Sequence, residues 1–244
     1  GVEKAEKVTR TSSVDALAEM MHAQGARKLA SPKATLDIPA PVVAPTMYSS
    51  KGSIFGSTTG NMSEAQRRTR DRARVVFGER WSERVARVRE ASPFGSHPRW
   101  RLHTGIVKSG DDCRQELLAI QLLLVFEQVF RESGLPLWMR PFQVLVVSSH
   151  AAIIETIPNA LSIHAIKARS PPGTSLRDHF VALYVEGSVE FRAAQRNYVE
   201  SLAAYSIVSY LLQIKDRHNG NLLLDDEGHL IHIDFGFMLS NSPG

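Results

Sequence analysis

Cysteine is nearly absent from this sequence: Cys113 is the only one, so no disulfide can form within the chain. A disulfide-stabilised scaffold and a cysteine-rich zinc site are thereby excluded, and a reducing compartment is favoured. Long hydrophobic runs are also lacking. The most apolar stretch, residues 117–130, has 14 residues and is interrupted by Gln121, Glu127 and Gln128. That stretch is too short and too polar to span a bilayer.

The chain begins with Gly1-Val2-Glu3-Lys4 and has neither an initiator methionine nor an apolar leader. We therefore expect no secretory signal peptide, and we interpret the chain as a fragment of a longer protein. The Walker A pattern is also missing, which argues against a P-loop nucleotide site.

Basic residues are concentrated in the N-terminal third, although the net charge is only +4. Residues 1–60 carry 7 basic and 5 acidic side chains, and residues 61–90 carry 9 arginines and 5 acidic side chains. Residues 91–244 carry 13 basic and 15 acidic side chains. The basic charge is thus no argument for nucleic-acid binding, and we expect none.

The first 90 residues divide into two segments. Residues 1–60 are rich in Ser, Pro, Thr and Gly, which predicts a disordered or low-complexity segment. Residues 61–90 are predicted to form a basic helix that leads into the folded domain, with Ser63 and Gln66 as a capping box. Its mixed charges indicate a solvated helix docked by Trp81, and a membrane or partner surface is the alternative.

The rest of the chain predicts an α+β fold. Hydrophobic periodicity and turn residues define its elements. These are a strand over 101–108, a buried helix over 113–131 capped by Asp111 and Asp112, a strand over 144–148, a helix over 195–214, and a hairpin with strands at 222–224 and 230–235. We therefore predict a two-lobed, kinase-like fold. Residues 91–157 form an N-lobe with an antiparallel sheet and a helix, and residues 158–244 form a truncated, helical C-lobe carrying the hairpin.

The strongest chemical signal is the run from Asp216 to Asn221, followed thirteen residues later by Asp234-Phe235-Gly236. The hairpin between them should bring Asn221 and Asp234 to its open end. An amide oxygen and a carboxylate there suit Mg²⁺, which also binds substrate phosphates. Asp216 and His218 could accept a proton from a hydroxyl group. Together these groups predict phosphoryl transfer.

Two further elements fit that chemistry. Lys108 ends a predicted strand, and Glu116 lies in the first turns of the next helix. A strand lysine held by a helix carboxylate contacts nucleotide phosphates in protein kinases. The loop from Ser92 to His97 is placed like a phosphate-covering loop, although an ordinary turn explains it equally well.

These motifs resemble the phosphoinositide-kinase superfamily. Its catalytic loop has the order Asp-Arg-His, the reverse of ordinary protein kinases. The runs at 212–224 and 229–237 are similar to type III phosphatidylinositol 4-kinases. The stretches at 81–89, 92–100 and 159–164 resemble the beta form, whereas Cys113 and residues 213–215 lean to the alpha form. We favour beta. The resemblance covers residues 78–244.

The resemblance implies a lipid kinase that transfers the γ-phosphate of ATP to the 4-hydroxyl of phosphatidylinositol. Lys108 would contact the phosphates, with Glu116 orienting it, and Ser92 would lie in the covering loop. Asn221 and Asp234 would hold Mg²⁺, with Mn²⁺ as an alternative. The remaining implied residues are Ile154, Glu155 and Ile157 around the adenine, and Asp216 and His218 at the hydroxyl group.

Two other functions stay open: a Ser/Thr protein kinase of the same superfamily, and an inactive nucleotide-binding fragment. The family continues beyond residue 244 into a loop that recognises the lipid, so this fragment alone could lack activity. The resemblance also implies a cytoplasmic protein bound peripherally to Golgi or related membranes. Small GTPases or adaptors would be its regulators.

Overall fold

The computed structural model describes residues 62–241, so the predicted disordered segment 1–60 lies outside the described residues. The helices are α1 (Glu64–Phe77), α2 (Trp81–Ala91), α3 (Arg114–Glu132), α4 (Ile163–Arg169), α5 (Leu176–Leu183) and α6 (Val189–Leu211). The strands are β1 (Gly105–Ser109), β2 (Val144–Ser148), β3 (Ala151–Glu155), β4 (Ala160–Ser162), β5 (Leu222–Asp225) and β6 (Leu230–His232). Helices mix with antiparallel sheets, so the predicted α+β class is confirmed.

The segment predicted as one basic helix is two helices, α1 and α2. The break occurs at Gly78, whose φ of 82° suits glycine and interrupts the helical backbone. The capping box of Ser63 and Gln66 is confirmed at the start of α1. A cleft of about 360 Å³ lies between the two helices and is lined by Met62, Arg67, Arg70, Asp71, Arg74, Arg80 and Glu83.

Polar contacts join the start of α2 to residues next to strands β4 and β5. The Trp81 N–H donates to Asn159 Oδ1 at 2.8 Å, and Arg80 pairs with Asp226 at 3.1 Å. Burial raises the pKa of Asp226 to about 7, although Arg80 opposes that shift. The helix pair is therefore attached through polar contacts to the buried Asp226 and the partly buried Asn159, as well as through the half-buried Trp81.

The first sheet has the order β1-β3-β2, with both pairings antiparallel. The sequence missed β3, and it placed the start of the first strand at residue 101 instead of Gly105. Lys108 lies opposite Ala152 in the pairing of β1 with β3. This pairing fixes the position of Lys108 on the sheet.

Helix α3 packs beside this sheet, but only one of its faces is buried. Ala119, Ile120 and Leu123 belong to the main hydrophobic core. The prediction of a helix buried on most sides was wrong, because several apolar side chains are exposed on the opposite face: Leu118, Leu124, Val125 and Val129. Asp112 Oδ1 accepts the Arg114 N–H at 3.0 Å, next to the N-cap residue Cys113.

The second sheet has the order β4-β5-β6, again antiparallel. The predicted hairpin is confirmed as β5 and β6, but its second strand ends at His232 rather than residue 235. The sequence missed β4, α4 and α5. Helix α6 begins at Val189, earlier than predicted, and its Tyr205 and Val208 lie in the main core. No helix among residues 62–241 has the length and apolar character needed to cross a membrane.

Candidate active site

The predicted lysine, glutamate and aspartate meet between the first sheet and the chain after β6. Lys108 Nζ lies 3.8 Å from Glu116 Oε2 and 3.6 Å from Asp234 Oδ1. Strand β1 presents the lysine, and the first turn of α3 presents the glutamate. Asp234 is 126 positions beyond Lys108, so only the tertiary fold brings these groups together.

Opposing electrostatic effects act on this cluster. Burial raises the pKa of Glu116, whose side chain is only 5% exposed, and the Lys108 ammonium partly counters the shift. Partial burial alone would lower the pKa of Lys108, but the charges of Asp234 and Glu116 outweigh it and raise the pKa. Lys108 therefore stays cationic, as a contact to phosphate groups requires.

The predicted catalytic loop, residues 216–221, follows α6 and is held by internal hydrogen bonds. Asn221 Nδ2 donates to the Asp216 carbonyl at 3.0 Å and to Asp216 Oδ2 at 3.4 Å. The Gly220 N–H donates to His218 Nδ1 at 3.0 Å, and His218 Nε2 lies 3.9 Å from Asp216 Oδ2. The two candidate proton acceptors, Asp216 and His218, are therefore neighbours.

Gly220 leaves room for the His218 ring, which leads to a prediction. A Cβ at position 220 would lie 2.8 Å from His218 Cε1 and 2.9 Å from Nδ1, too close for undisturbed packing. We expect Gly220→Ala to displace the imidazole and, if this loop serves phosphoryl transfer as the sequence predicts, to lower kcat of the full-length protein roughly 10- to 100-fold. Steady-state kinetics would test this, with the melting temperature measured alongside to separate displacement of the ring from loss of stability. Activity equal to that of the wild type would contradict it.

The hairpin register explains why Asn221 and Asp234 are close in the fold. Leu222 pairs with His232, and the Ile233 N–H donates to the Asn221 carbonyl at 3.1 Å. Asn221 is thus opposite Ile233, one residue before Asp234. Both side-chain positions fall at the open end of the hairpin, as the sequence predicted.

Arg217 hydrogen-bonds to the backbone at this end of the hairpin. Its guanidinium donates to the backbone carbonyls of Lys215 at 2.9 Å, Ile233 at 2.8 Å and Asp234. It also lies over the ring of Phe235, 5.5 Å from the centroid. Arg217 therefore ties the loop to the residues around Asp234 through hydrogen bonds to carbonyl groups.

The residues at the open end of the hairpin fit Mg²⁺. Because Asn221 Nδ2 donates to Asp216, its Oδ1 is the atom that can bind a cation. Asp234 is 46% exposed and adds a carboxylate. The described residues contain no cluster of three His, Cys, Asp or Glu side chains suited to a metal ion. An incomplete set of oxygen ligands is typical of Mg²⁺ sites completed by water and substrate phosphates.

Other residues predicted for the nucleotide site have structural contacts. The Glu155 carboxylate accepts the Gln143 N–H at 2.9 Å and lies 3.9 Å from Arg140, and the Glu155 N–H donates to the Gln143 carbonyl at 2.8 Å. Its own carbonyl is therefore the group that would contact adenine. Ile154 and Ile157 pack against the main core while staying partly accessible. Ser92 forms the turn after α2, where its Oγ accepts the Phe94 N–H at 3.2 Å. Their contact with nucleotide stays a prediction.

Sequence reasoning missed Gln115 as a site residue. Its Nε2 donates to the Gly236 carbonyl at 2.9 Å, two positions after Asp234. The available signal was its place beside Glu116 in the same helical turn. A glutamine on a helix is usually a solvated side chain, so that signal carried no weight.

A strand lysine paired with a helix glutamate and joined to a hairpin-borne aspartate is the arrangement of a kinase-type phosphotransferase. Comparison with known proteins agrees. The family described as "Phosphatidylinositol 3- and 4-kinase" matches residues 103–244. The chain belongs to this family.

Several curated relatives are strongly similar. Phosphatidylinositol 4-kinase beta 1 of Arabidopsis thaliana is 65% identical over 170 residues, which cover 70% of this chain and 15% of that protein. Phosphatidylinositol 4-kinase of Dictyostelium discoideum is 56% identical, with 69% of this chain and 14% of that protein covered. Phosphatidylinositol 4-kinase beta of Xenopus tropicalis is 52% identical, with coverage of 71% and 21%. The matched region thus spans about a fifth or less of each relative.

Proposed function

We propose that the protein to which this chain belongs is a lipid kinase. It would transfer the γ-phosphate of ATP to the 4-hydroxyl of phosphatidylinositol. The observation that carries the proposal is the convergence of Lys108, Glu116 and Asp234, with separations of 3.8 and 3.6 Å from the lysine. The 4-hydroxyl as acceptor is supported by the names of the relatives, which are phosphatidylinositol 4-kinases.

The nucleotide would be bound mainly through its phosphates. Lys108 would contact them, and Glu116 would orient the ammonium. Ile154 and Ile157 would offer apolar contact to the adenine, the backbone at Glu155 would hydrogen-bond its edge, and the Ser92 turn would cover the phosphates. Asn221 and Asp234 would hold Mg²⁺. When bound, that ion would neutralise charge that develops on the phosphate oxygens.

The acceptor hydroxyl would be activated beside the metal ligands. Asp216 and His218 are adjacent, and Asn221 hydrogen-bonds to Asp216. The proton of the inositol hydroxyl would pass to this pair as its oxygen bonds to the γ-phosphorus and the bond from that phosphorus to the leaving ADP breaks. Positioning and charge supply most of the catalysis in phosphoryl transfer, which fits a site braced by Arg217.

The relatives' names also support a membrane substrate, because phosphatidylinositol is a lipid. We extend the proposal to peripheral association with Golgi or related membranes and to regulation by small GTPases or adaptors. Imaging of the tagged full-length protein with a Golgi marker would test the location. A tagged protein distributed evenly through the cytosol would argue against it.

Activity on matched substrates would test the function. The full-length protein should produce labelled phosphatidylinositol 4-phosphate from ATP and phosphatidylinositol vesicles. It should leave Ser/Thr peptides unlabelled. Labelled peptide without lipid product would favour the protein-kinase alternative. ATP binding without any product would favour an inactive nucleotide-binding module.

A further inference from the structure

The short segment after Asp234, residues 236–241, is held from two sides. Its carbonyl groups accept hydrogen bonds from α3 on one side and from the start of the catalytic loop on the other. The side chains of Phe235, just before the segment, and Met238, within it, are buried and anchor it to the core. The outer contacts belong to side chains with no role in the proposed chemistry.

Helix α3 supplies the first contact. Gln115 Nε2 donates to the Gly236 carbonyl at 2.9 Å. Asn241 Nδ2 donates to the same carbonyl at 2.9 Å and to Gln115 Oε1 at 3.2 Å. These three residues close a small hydrogen-bonded ring. It connects the helical turn that carries Glu116 to both ends of the 236–241 segment.

Lys215 supplies the second contact, from the position before Asp216. Its Nζ donates to the Leu239 carbonyl at 3.1 Å and to the Asn241 carbonyl at 3.2 Å. Its backbone N–H donates to the Phe237 carbonyl at 2.9 Å. Within residues 62–241 Lys215 forms no ion pair with a carboxylate, so the hydrogen bonds of its ammonium in this part of the chain are to carbonyl groups.

The backbone conformation explains why such contacts are needed. Asp234 and Leu239 have φ values of 58° and 54°, in the left-handed region that side chains disfavour. Residues of this kind keep their conformation only where surrounding contacts hold them. The hydrogen bond from Gln115 reaches Gly236, which lies between these two residues, and the hydrogen bond from Lys215 reaches the carbonyl of Leu239 itself.

We propose that Gln115 and Lys215 are positioning residues that clamp the 236–241 segment and thereby hold Asp234 within reach of Lys108. The clamp rests on the proposed phosphotransfer function of the site. It connects α3, the catalytic loop and the Asp-Phe-Gly motif, so it also sets the direction in which the chain leaves the active site. Neither side chain needs to touch a reacting atom.

Matched substitutions in the full-length protein would test the clamp. Gln115→Met and Lys215→Met keep side-chain bulk but remove the donors, and Lys215→Arg keeps a cationic donor at position 215. Gln128→Met and Lys167→Met are controls, because the Gln128 amide donates to Glu132 within α3 and Lys167 is exposed on α4. The readouts are kcat and KM for ATP and phosphatidylinositol, together with amide hydrogen exchange of residues 236–241.

The clamp predicts a roughly tenfold lower kcat in both Met variants, with KM for ATP changed less than about twofold. Hydrogen exchange in the segment should quicken in both variants. Lys215→Arg should show most of the wild-type kcat and most of the wild-type protection from exchange. A higher KM for lipid with unchanged exchange would overturn the clamp, because Lys215 would then contact substrate directly. Unchanged kcat and exchange would also overturn it. An inactive wild-type protein would refute the proposed function instead, and hydrogen exchange alone would then decide the clamp.

Discussion

Substituting Asn for Asp234 in the full-length protein should lower kcat for phosphatidylinositol phosphorylation by roughly a thousandfold. The change replaces a carboxylate oxygen with an amide nitrogen, and so removes the charge that would hold Mg²⁺. Asn suits the test better than Ala, because it tolerates the φ of 58° at this position. The hydrogen bond from Arg217 to the carbonyl of residue 234 is kept, so the backbone should not move.

Two comparisons isolate the role of the metal. Asp71→Asn on α1 makes the same chemical change at an exposed position and should leave kcat within about twofold. A chelator should abolish wild-type activity, and added Mg²⁺ should restore it. A loss below tenfold in Asp234→Asn, in a protein with an unchanged melting temperature, would refute the assignment of Asp234 as a metal ligand.

Local sequence patterns were informative where the turn chemistry was ordinary. The Asp-Asp-Glu-Gly turn at residues 225–228 and the apolar runs around it were enough to predict the hairpin and its open end. They failed for β3, because Ser149 and His150 form the turn before it and lack the Gly, Asn or Asp of common hairpin turns. Helix α5 did have a signal, the capping box of Ser175 and Asp178, but its eight residues are too few for clear periodicity.

The site was predicted in pieces rather than as one arrangement. Spacing alone could place Asn221 near Asp234, since a hairpin joins them. It could not bring Lys108 to Asp234, because that contact depends on packing between distant segments. The family resemblance implied only that both residues serve the nucleotide site, and the structure adds the 3.6 Å separation of the two side chains. Gln115 escaped notice because its partner is a backbone carbonyl, which leaves no mark in the sequence.

The second large effect concerns Lys108, whose replacement by Met should act on activity and stability through separate contacts. Loss of the ammonium should lower kcat/KM for ATP by roughly a hundredfold, because no other cation would face the phosphates from β1. The same change leaves the buried Glu116 without its partner at 3.8 Å. Loss of the ammonium should destabilise the fold by about 1–3 kcal/mol, because the Asp234 N–H and the charge of Arg217 remain beside the buried carboxylate.

The pH dependence of stability follows from Glu116. Burial already raises its pKa, and Lys108 opposes that rise, so Lys108→Met should raise the pKa further. Between the ordinary and the raised pKa, the folded state binds more protons than the unfolded state. The free energy of unfolding therefore falls as pH rises through this interval. Relative to wild type, Lys108→Met should lose more thermal stability at about pH 8 than at about pH 5.

A second substitution at Glu116 separates the two contacts. Glu116→Gln removes the titrating group, so the double variant should recover most of the melting temperature lost in Lys108→Met, and the extra loss at high pH should disappear. Activity should not recover, because the cation that contacts the phosphates is still missing. Recovery of both stability and kcat/KM would mean that Lys108 serves only to neutralise Glu116. Recovery of neither would mean that the lysine stabilises the fold through Asp234, its other carboxylate neighbour at 3.6 Å.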